Sequence, residues 1–164
     1  MLSKILSKEE CASCKFCCSF RRKSLWESPL FPLEDLEQVK KLYPDFKVKY
    51  TGKNSFTFDI SGNYKSQDPE EEALCPFLDS SKGCSLPEEL KPMDCKIWPL
   101  RIVRHKNNSE EYSIALTPTC PAVNKIPFSH LQDFVKKDLE KLLMKYADKN
   151  PDIIKDYDEL FKFI

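Results

Sequence analysis

The chain has 164 residues, of which 41% are hydrophobic and 32% are charged, and this profile is typical of a globular protein rather than a disordered one. Its 26 Lys and Arg residues balance its 26 Asp and Glu residues, so the basic excess of a nucleic-acid binder is absent. No apolar stretch approaches the ~20 residues of a membrane-spanning helix, and no signal peptide is apparent. We therefore expect a cytoplasmic protein without a nucleic-acid or membrane partner.

The first half of the chain predicts a mixture of helix and strand. A helix is predicted from Pro32 to Tyr43, because apolar residues recur there on one helical face. Two alternating segments, Phe46 to Tyr50 and Ser55 to Ile60, predict a hairpin across the turn residues between them. The polar segment from Ser61 to Glu72 is predicted to be an exposed loop.

The second half predicts another hairpin followed by helices. The hairpin pairs the segments Ile97 to Arg104 and Tyr112 to Thr117. A C-terminal helical segment is predicted over residues 128–164, with a capping box at Ser129 and a further helix that starts at Asn150. The sequence thus predicts an α+β fold in one small domain, residues 1–164, with hairpins, C-terminal helices and an irregular cysteine-rich region.

Eight cysteines dominate the chemistry of the chain. Disulfides are rare in the cytoplasm, so metal ligation is the expected role of so many thiols. The first four follow the spacing C-x2-C-x2-C-C, and two intervening residues let a loop curl so that several thiolates reach one centre. The predicted ligands, within residues 11–121, are Cys11, Cys14, Cys17, Cys18, Cys75, Cys84, Cys95 and Cys120.

The spacing of the first cysteines favours an iron–sulfur cluster over zinc. A triple run such as Cys11, Cys14 and Cys17 is typical of clusters, whereas zinc sites usually combine two separated pairs. Adjacent side chains diverge in an extended stretch, so Cys18 is expected to serve a second centre or to be a distal ligand. The N-terminal and later cysteines should meet in space, because neither group preorganises a full site alone. We expect an iron–sulfur cluster of the 4Fe–4S type, with zinc as the alternative.

The pattern resembles the YkgJ-type cysteine-cluster proteins, a family described as a zinc- or iron-chelating domain. The matching segments are Cys11 to Cys18, Cys75-Pro76-Phe77-Leu78, Lys82-Gly83-Cys84-Ser85 and Lys91 to Pro99. Three features depart from the family pattern: Gly83 lies one residue closer to its cysteine, lysine replaces the commoner arginine at 91 and 96, and Leu86-Pro87 replaces isoleucine-tyrosine. The resemblance spans Cys11 to Pro121 and implies metal binding through these cysteines.

Two other functions remain open. A related group resembles the flagellin lysine methylases, which implies a cluster-dependent enzyme, either a redox catalyst or a modifier of protein lysines. No catalytic residue is assigned, and with only three glycines the chain has no glycine-rich nucleotide loop. The other alternative is a structural zinc module that presents a surface to a protein partner. In each case Lys91, Lys96 and Arg101 are expected to balance thiolate charge, and Trp98 to shield the centre.

Overall fold

The computed structural model describes residues 13–22 and 28–164, and its helices and sheets confirm the predicted α+β class. The described residues belong to two compact units. We call residues 13–22 and 28–96 the cysteine unit, and residues 97–164 the C-terminal unit. In the part of the chain that is described, no helix has both the length and the apolar character needed to cross a bilayer.

The cysteine unit is built from short elements joined by turns. In chain order the elements are β1 (Ser19–Arg21), β2 (Phe31–Pro32), α1 (Leu36–Leu42), β3 (Val48–Thr51), β4 (Ser55–Phe58), β5 (Glu72–Leu74), β6 (Leu78–Asp79), β7 (Gly83–Cys84) and α2 (Met93–Ile97). The strands form three antiparallel sheets, with the orders β2-β4-β3, β1-β5 and β6-β7.

The predicted hairpin and helix of this unit are confirmed, with one change at the helix start. Strands β3 and β4 pair as expected, and Gly52 supplies the positive φ of 63° in their turn. Pro32, predicted as a first helical residue, lies instead in β2 opposite Ser55. Proline is tolerated in such a position because β2 is an edge strand, and α1 begins only after a 3-10 turn.

Aromatic side chains hold the cysteine unit together. The rings of Phe31 and Phe56 stack with centroids 5.0 Å apart, and Phe77 lies 5.9 Å from Phe31. All three are buried, and large aromatic rings contribute most of the apolar area of such a core. Cys75 packs against the same cluster and is partly buried by it. The core therefore reaches directly to one of the predicted ligands.

The C-terminal unit has longer regular elements. They are β8 (Leu100–His105), β9 (Asn108–Leu116), α3 (Phe128–Phe134), α4 (Glu140–Lys149), β10 (Ile154–Lys155) and β11 (Lys162–Phe163), with a π-helical turn, Val135–Leu139, between α3 and α4. Strands β8 and β9 form the predicted second hairpin, and the sheet order is β10-β8-β9-β11.

The end of the chain differs from the prediction of helix through residue 164. Helix α4 ends at Lys149, and the segments that follow add β10 parallel to β8 and β11 antiparallel to β9. Both edges of the central hairpin would otherwise present unpaired backbone groups, so strand pairing wins over local helix propensity. The capping box at Ser129 is also wrong, because α3 starts at Phe128 after Pro127 and has no side-chain cap.

Candidate metal centre in the cysteine unit

The N-terminal cysteine loop curls tightly. Cys14 is exposed at the end of a helical stretch, and Phe16–Cys18 form a 3-10 turn. The Cys18 N–H donates to the Lys15 carbonyl at 3.0 Å, which closes the turn. Such curling is what the C-x2-C spacing predicted for residues 14–18. Cys11 lies outside the described residues.

The adjacent thiols of Cys17 and Cys18 do not diverge as expected. A hydrogen bond between their side chains is the largest cause that raises the pKa of Cys17 above 9.0, followed by burial and by the charge of Cys18. The expectation assumed an extended stretch, whereas both residues belong to a 3-10 turn. The 3-10 turn therefore keeps the two thiols close to each other.

The backbone joins the two cysteine groups at Cys18 and Cys75. The Cys75 N–H donates to the Cys18 carbonyl at 2.8 Å. This bond continues the ladder of β1 and β5, whose last register pair is Ser19 opposite Leu74, so Cys18 and Cys75 form the next pair along. For these two residues the expectation that the N-terminal and later cysteines meet in space is confirmed.

A compact turn and hairpin bring Cys84 near Cys75. The Leu78 N–H donates to the Cys75 carbonyl at 3.0 Å, which reverses the chain through Pro76. Strand β6 then pairs with β7, so Leu78 lies opposite Cys84. The exposed Cys84 thus lies opposite Leu78, and a single tight turn connects Leu78 to Cys75.

The tip of this hairpin is held by one carboxylate. Asp79 Oδ1 accepts the N–H of Ser81 at 2.8 Å, the N–H of Lys82 at 2.9 Å and the Ser81 hydroxyl at 2.7 Å. These bonds favour the charged form and lower the Asp79 pKa from 3.8 to about 2. Gly83 follows with a φ of 81°, a left-handed conformation that suits glycine.

Cys95 lies in α2 and is fixed by its surroundings. Its N–H donates to the Pro92 carbonyl at 3.0 Å. The neighbouring Asp94 carboxylate is buried and accepts the Leu30 N–H at 2.9 Å, which ties α2 to the segment that leads into β2. A buried, hydrogen-bonded carboxylate therefore lies beside this thiol.

Burial and the charges of neighbouring groups raise the pKa values of Cys75 and Cys95. The pKa of Cys75 is raised from 9.0 to about 12, first by burial and then by the charges of Cys84 and Cys17. Burial also raises the pKa of Cys95, as do the charges of Asp94 and of those same thiols. Cys75 and Cys95 therefore each lie within electrostatic range of Cys17 and Cys84. The Lys91 ammonium opposes this trend and lowers the pKa of Cys17.

The donor chemistry of this group fits a soft metal. Partly buried thiols such as Cys75 and Cys95 are costly to ionise alone, and a bound cation reverses that cost because thiolate is the ligating form. Within residues 13–22 and 28–164, however, no three His, Cys, Asp or Glu side chains are placed so that they could hold an ion. The thiols are grouped but not preassembled around a metal.

The remaining candidates lie in the C-terminal unit and are described there alone. Cys120 is half-buried, and its carbonyl accepts the Asn124 N–H at 2.9 Å. Arg101 is buried, with its guanidinium 4.2 Å from the centroid of the Trp98 ring. His105 is half-buried and stacks on Phe163, with ring centroids 4.8 Å apart. The roles predicted for Cys120, Trp98 and Arg101 at a metal stay predictions.

Comparison with protein-family models, curated proteins and solved structures finds no match for this chain. The resemblance to the YkgJ-type proteins therefore stays a prediction, based on the cysteine segments themselves.

Sequence reasoning missed three residues that organise the site. Lys15 turns the N-terminal loop, Asp79 holds the hairpin tip, and Asp94 anchors α2. The Asp79 turn had a readable signal, because aspartate followed by serines commonly caps its own turn. Lys15 gave no signal, since lysine rarely adopts a left-handed conformation.

Proposed function

We propose that this chain is a cytoplasmic metal-binding protein that holds an iron–sulfur cluster, or zinc, through the thiolates of the cysteine unit. The observation that carries the proposal is the Cys75 N–H bond to the Cys18 carbonyl, because it joins two cysteine segments that are 57 residues apart in sequence. Thiols that only fill a core do not need to come from segments that meet in space, whereas the ligands of a polynuclear centre do.

The ligands would come from several elements of the cysteine unit. The described candidates are Cys14, Cys17, Cys18, Cys75, Cys84 and Cys95. Six thiols exceed the four that one zinc ion takes, and the loop of residues 14–18 presents three of them in sequence, which favours a cluster. Cys11 joins the proposed set because of its C-x2-C spacing, and the role of Cys120 stays a prediction from the sequence.

The chain's own residues would tune such a centre. The aromatic core beside Cys75 excludes water from one side, and this raises the cost of free thiolates and increases the gain from metal binding. The Lys91 ammonium near Cys17 offsets part of the negative charge that several thiolates leave on a bound centre. When bound, a cluster would supply electron transfer, and zinc would supply a structural crosslink.

Anaerobic purification with analysis of iron, zinc and acid-labile sulfide tests the proposal. A cluster predicts iron and sulfide in equal amounts and a brown protein, whereas zinc predicts a colourless one, since its d shell is full. Protein that is purified and reconstituted anaerobically, yet holds neither metal at a stoichiometric level, would overturn the proposal.

A further inference from the structure

Lys15 has an unusual backbone in the middle of the cysteine loop. Its φ is 54° and its ψ is 3°, and among the described residues it is the only non-glycine with a positive φ. The left-handed region is unfavourable for a residue with a Cβ, and such strain persists only where the surroundings impose it. At Lys15 it turns the chain between Cys14 and the 3-10 turn that holds Cys17 and Cys18.

The side chain of Lys15 makes a second, distant contact. Its Nζ donates to the Ser80 carbonyl at 3.0 Å, across 65 residues of sequence. Ser80 lies in the hairpin tip that Asp79 organises, between β6 and β7. The charged donor thus reaches a carbonyl in a turn whose backbone the Asp79 carboxylate already holds.

We propose that Lys15 is a positioning residue that clasps the N-terminal cysteine loop to the hairpin bearing Cys84. Its backbone sets the direction of the loop, and its ammonium holds the loop against the Ser80 carbonyl. Glycine would adopt the same backbone without strain but could not reach the Ser80 carbonyl. The effect of this clasp on metal binding rests on the proposed function, whereas the hydrogen bond between Lys15 and the Ser80 carbonyl does not.

The first test uses metal-free, reduced protein and measures alkylation of Cys14, Cys17 and Cys18 by peptide mass spectrometry. Lys15→Met should accelerate alkylation about threefold to tenfold, the range that loss of one hydrogen bond at the surface supports. Lys15→Arg keeps a cationic donor and should remain near the wild-type rate. Lys82→Met is the matched control, because it removes an exposed lysine from the same hairpin tip.

Lys15→Gly separates the two roles of the residue. It removes the ammonium, so the loop should be alkylated as fast as in Lys15→Met. It also relieves the left-handed strain, so its thermal midpoint should be at least as high as that of Lys15→Met. A purely structural role of the backbone would instead leave the Lys15→Met rate unchanged.

The second test measures transfer of bound metal from each variant to a competing chelator. Lys15→Met should release metal severalfold faster than wild type, and Lys15→Arg and Lys82→Met should match wild type. The clasp is overturned if Lys15→Met is alkylated at the wild-type rate, or if Lys15→Arg behaves like Lys15→Met. A wild-type chain that takes up no metal would overturn the proposed function, and the alkylation rates would still decide the clasp.

Discussion

The two units of the chain are stabilised by different kinds of interaction. The C-terminal unit has a hairpin with strands of 6 and 9 residues and a helix of 10 residues, so backbone ladders fix most of its chain. In the described part of the cysteine unit no strand exceeds four residues. An aromatic cluster and side-chain bonds to the backbone hold its loops instead.

This difference indicates where ligation energy would matter. A unit with long ladders has its own cooperative scaffold, whereas short strands and turns bury few backbone bonds and order their loops at a larger entropic cost. The cysteine unit also holds all the described thiols except Cys120. A bound metal should therefore stabilise one unit and leave the other nearly unchanged.

The largest effect is expected from truncating the core beneath the thiols. Phe77 is buried and lies 4.9 Å from the Tyr43 ring and 5.1 Å from the Phe46 ring. Phe77→Ala should lower the free energy of unfolding by about 3–5 kcal/mol and reduce bound metal, because residue 77 follows the Cys75–Pro76 turn. Urea denaturation and metal analysis measure the two effects.

Leu143→Ala is the matched control for this substitution. Leu143 is fully buried in the C-terminal unit, so the variant should lose about 2–5 kcal/mol but keep its metal under native conditions. Equal metal loss in both variants would contradict the proposed difference between the units.

Metal removal should act selectively on the cysteine unit. Chelation under reducing conditions should speed hydrogen exchange at the amides of Cys75, Leu78 and Ser85, all of which donate backbone bonds near the proposed centre. The amides of β8 and β9 should keep their protection, and the thermal midpoint should fall. Unchanged exchange at the first set, with metal loss confirmed, would show that ligation does not order these loops.

The smallest effect concerns acid at the hairpin tip. Asp79 has a folded pKa of about 2 against an ordinary value of 3.8, so its bonds are complete above pH 3.8 and are lost as the pH falls through about 2. The amide shifts of Ser81 and Lys82 should titrate near pH 2 in an NMR experiment. Asp79→Asn should abolish this transition. A midpoint near 3.8 would mean that the carboxylate does not hold the turn.

Periodicity and turn chemistry predicted the hairpin of β3 and β4, the hairpin of β8 and β9, and the helices α1 and α3 to α4, because each is encoded by local alternation or by an amphipathic stripe. The strands β10 and β11 were missed because they depend on the edges of a sheet formed far upstream in the sequence. Because such pairing depends on residues that are distant in sequence, no local sequence pattern predicts it.

The candidate site was predictable in its chemistry but not in its geometry. The spacing of Cys14 and Cys17 indicated a curled loop, and loop-closure reasoning indicated that the N-terminal and later cysteines would meet, as Cys18 and Cys75 do. The closeness of the Cys17 and Cys18 thiols was not predictable, since it depends on a 3-10 turn that follows a left-handed lysine.

The central claim is that thiolates of the cysteine unit ligate the metal, and matched serine substitutions test it most directly. Cys75→Ser and Cys95→Ser each remove one thiol, whereas Ala73→Ser places the same side chain at a buried position of β5, two residues from Cys75. Metal per chain after anaerobic reconstitution is the measurement. The account predicts a clear loss in both cysteine variants and full metal in Ala73→Ser. Full metal in both cysteine variants would contradict it.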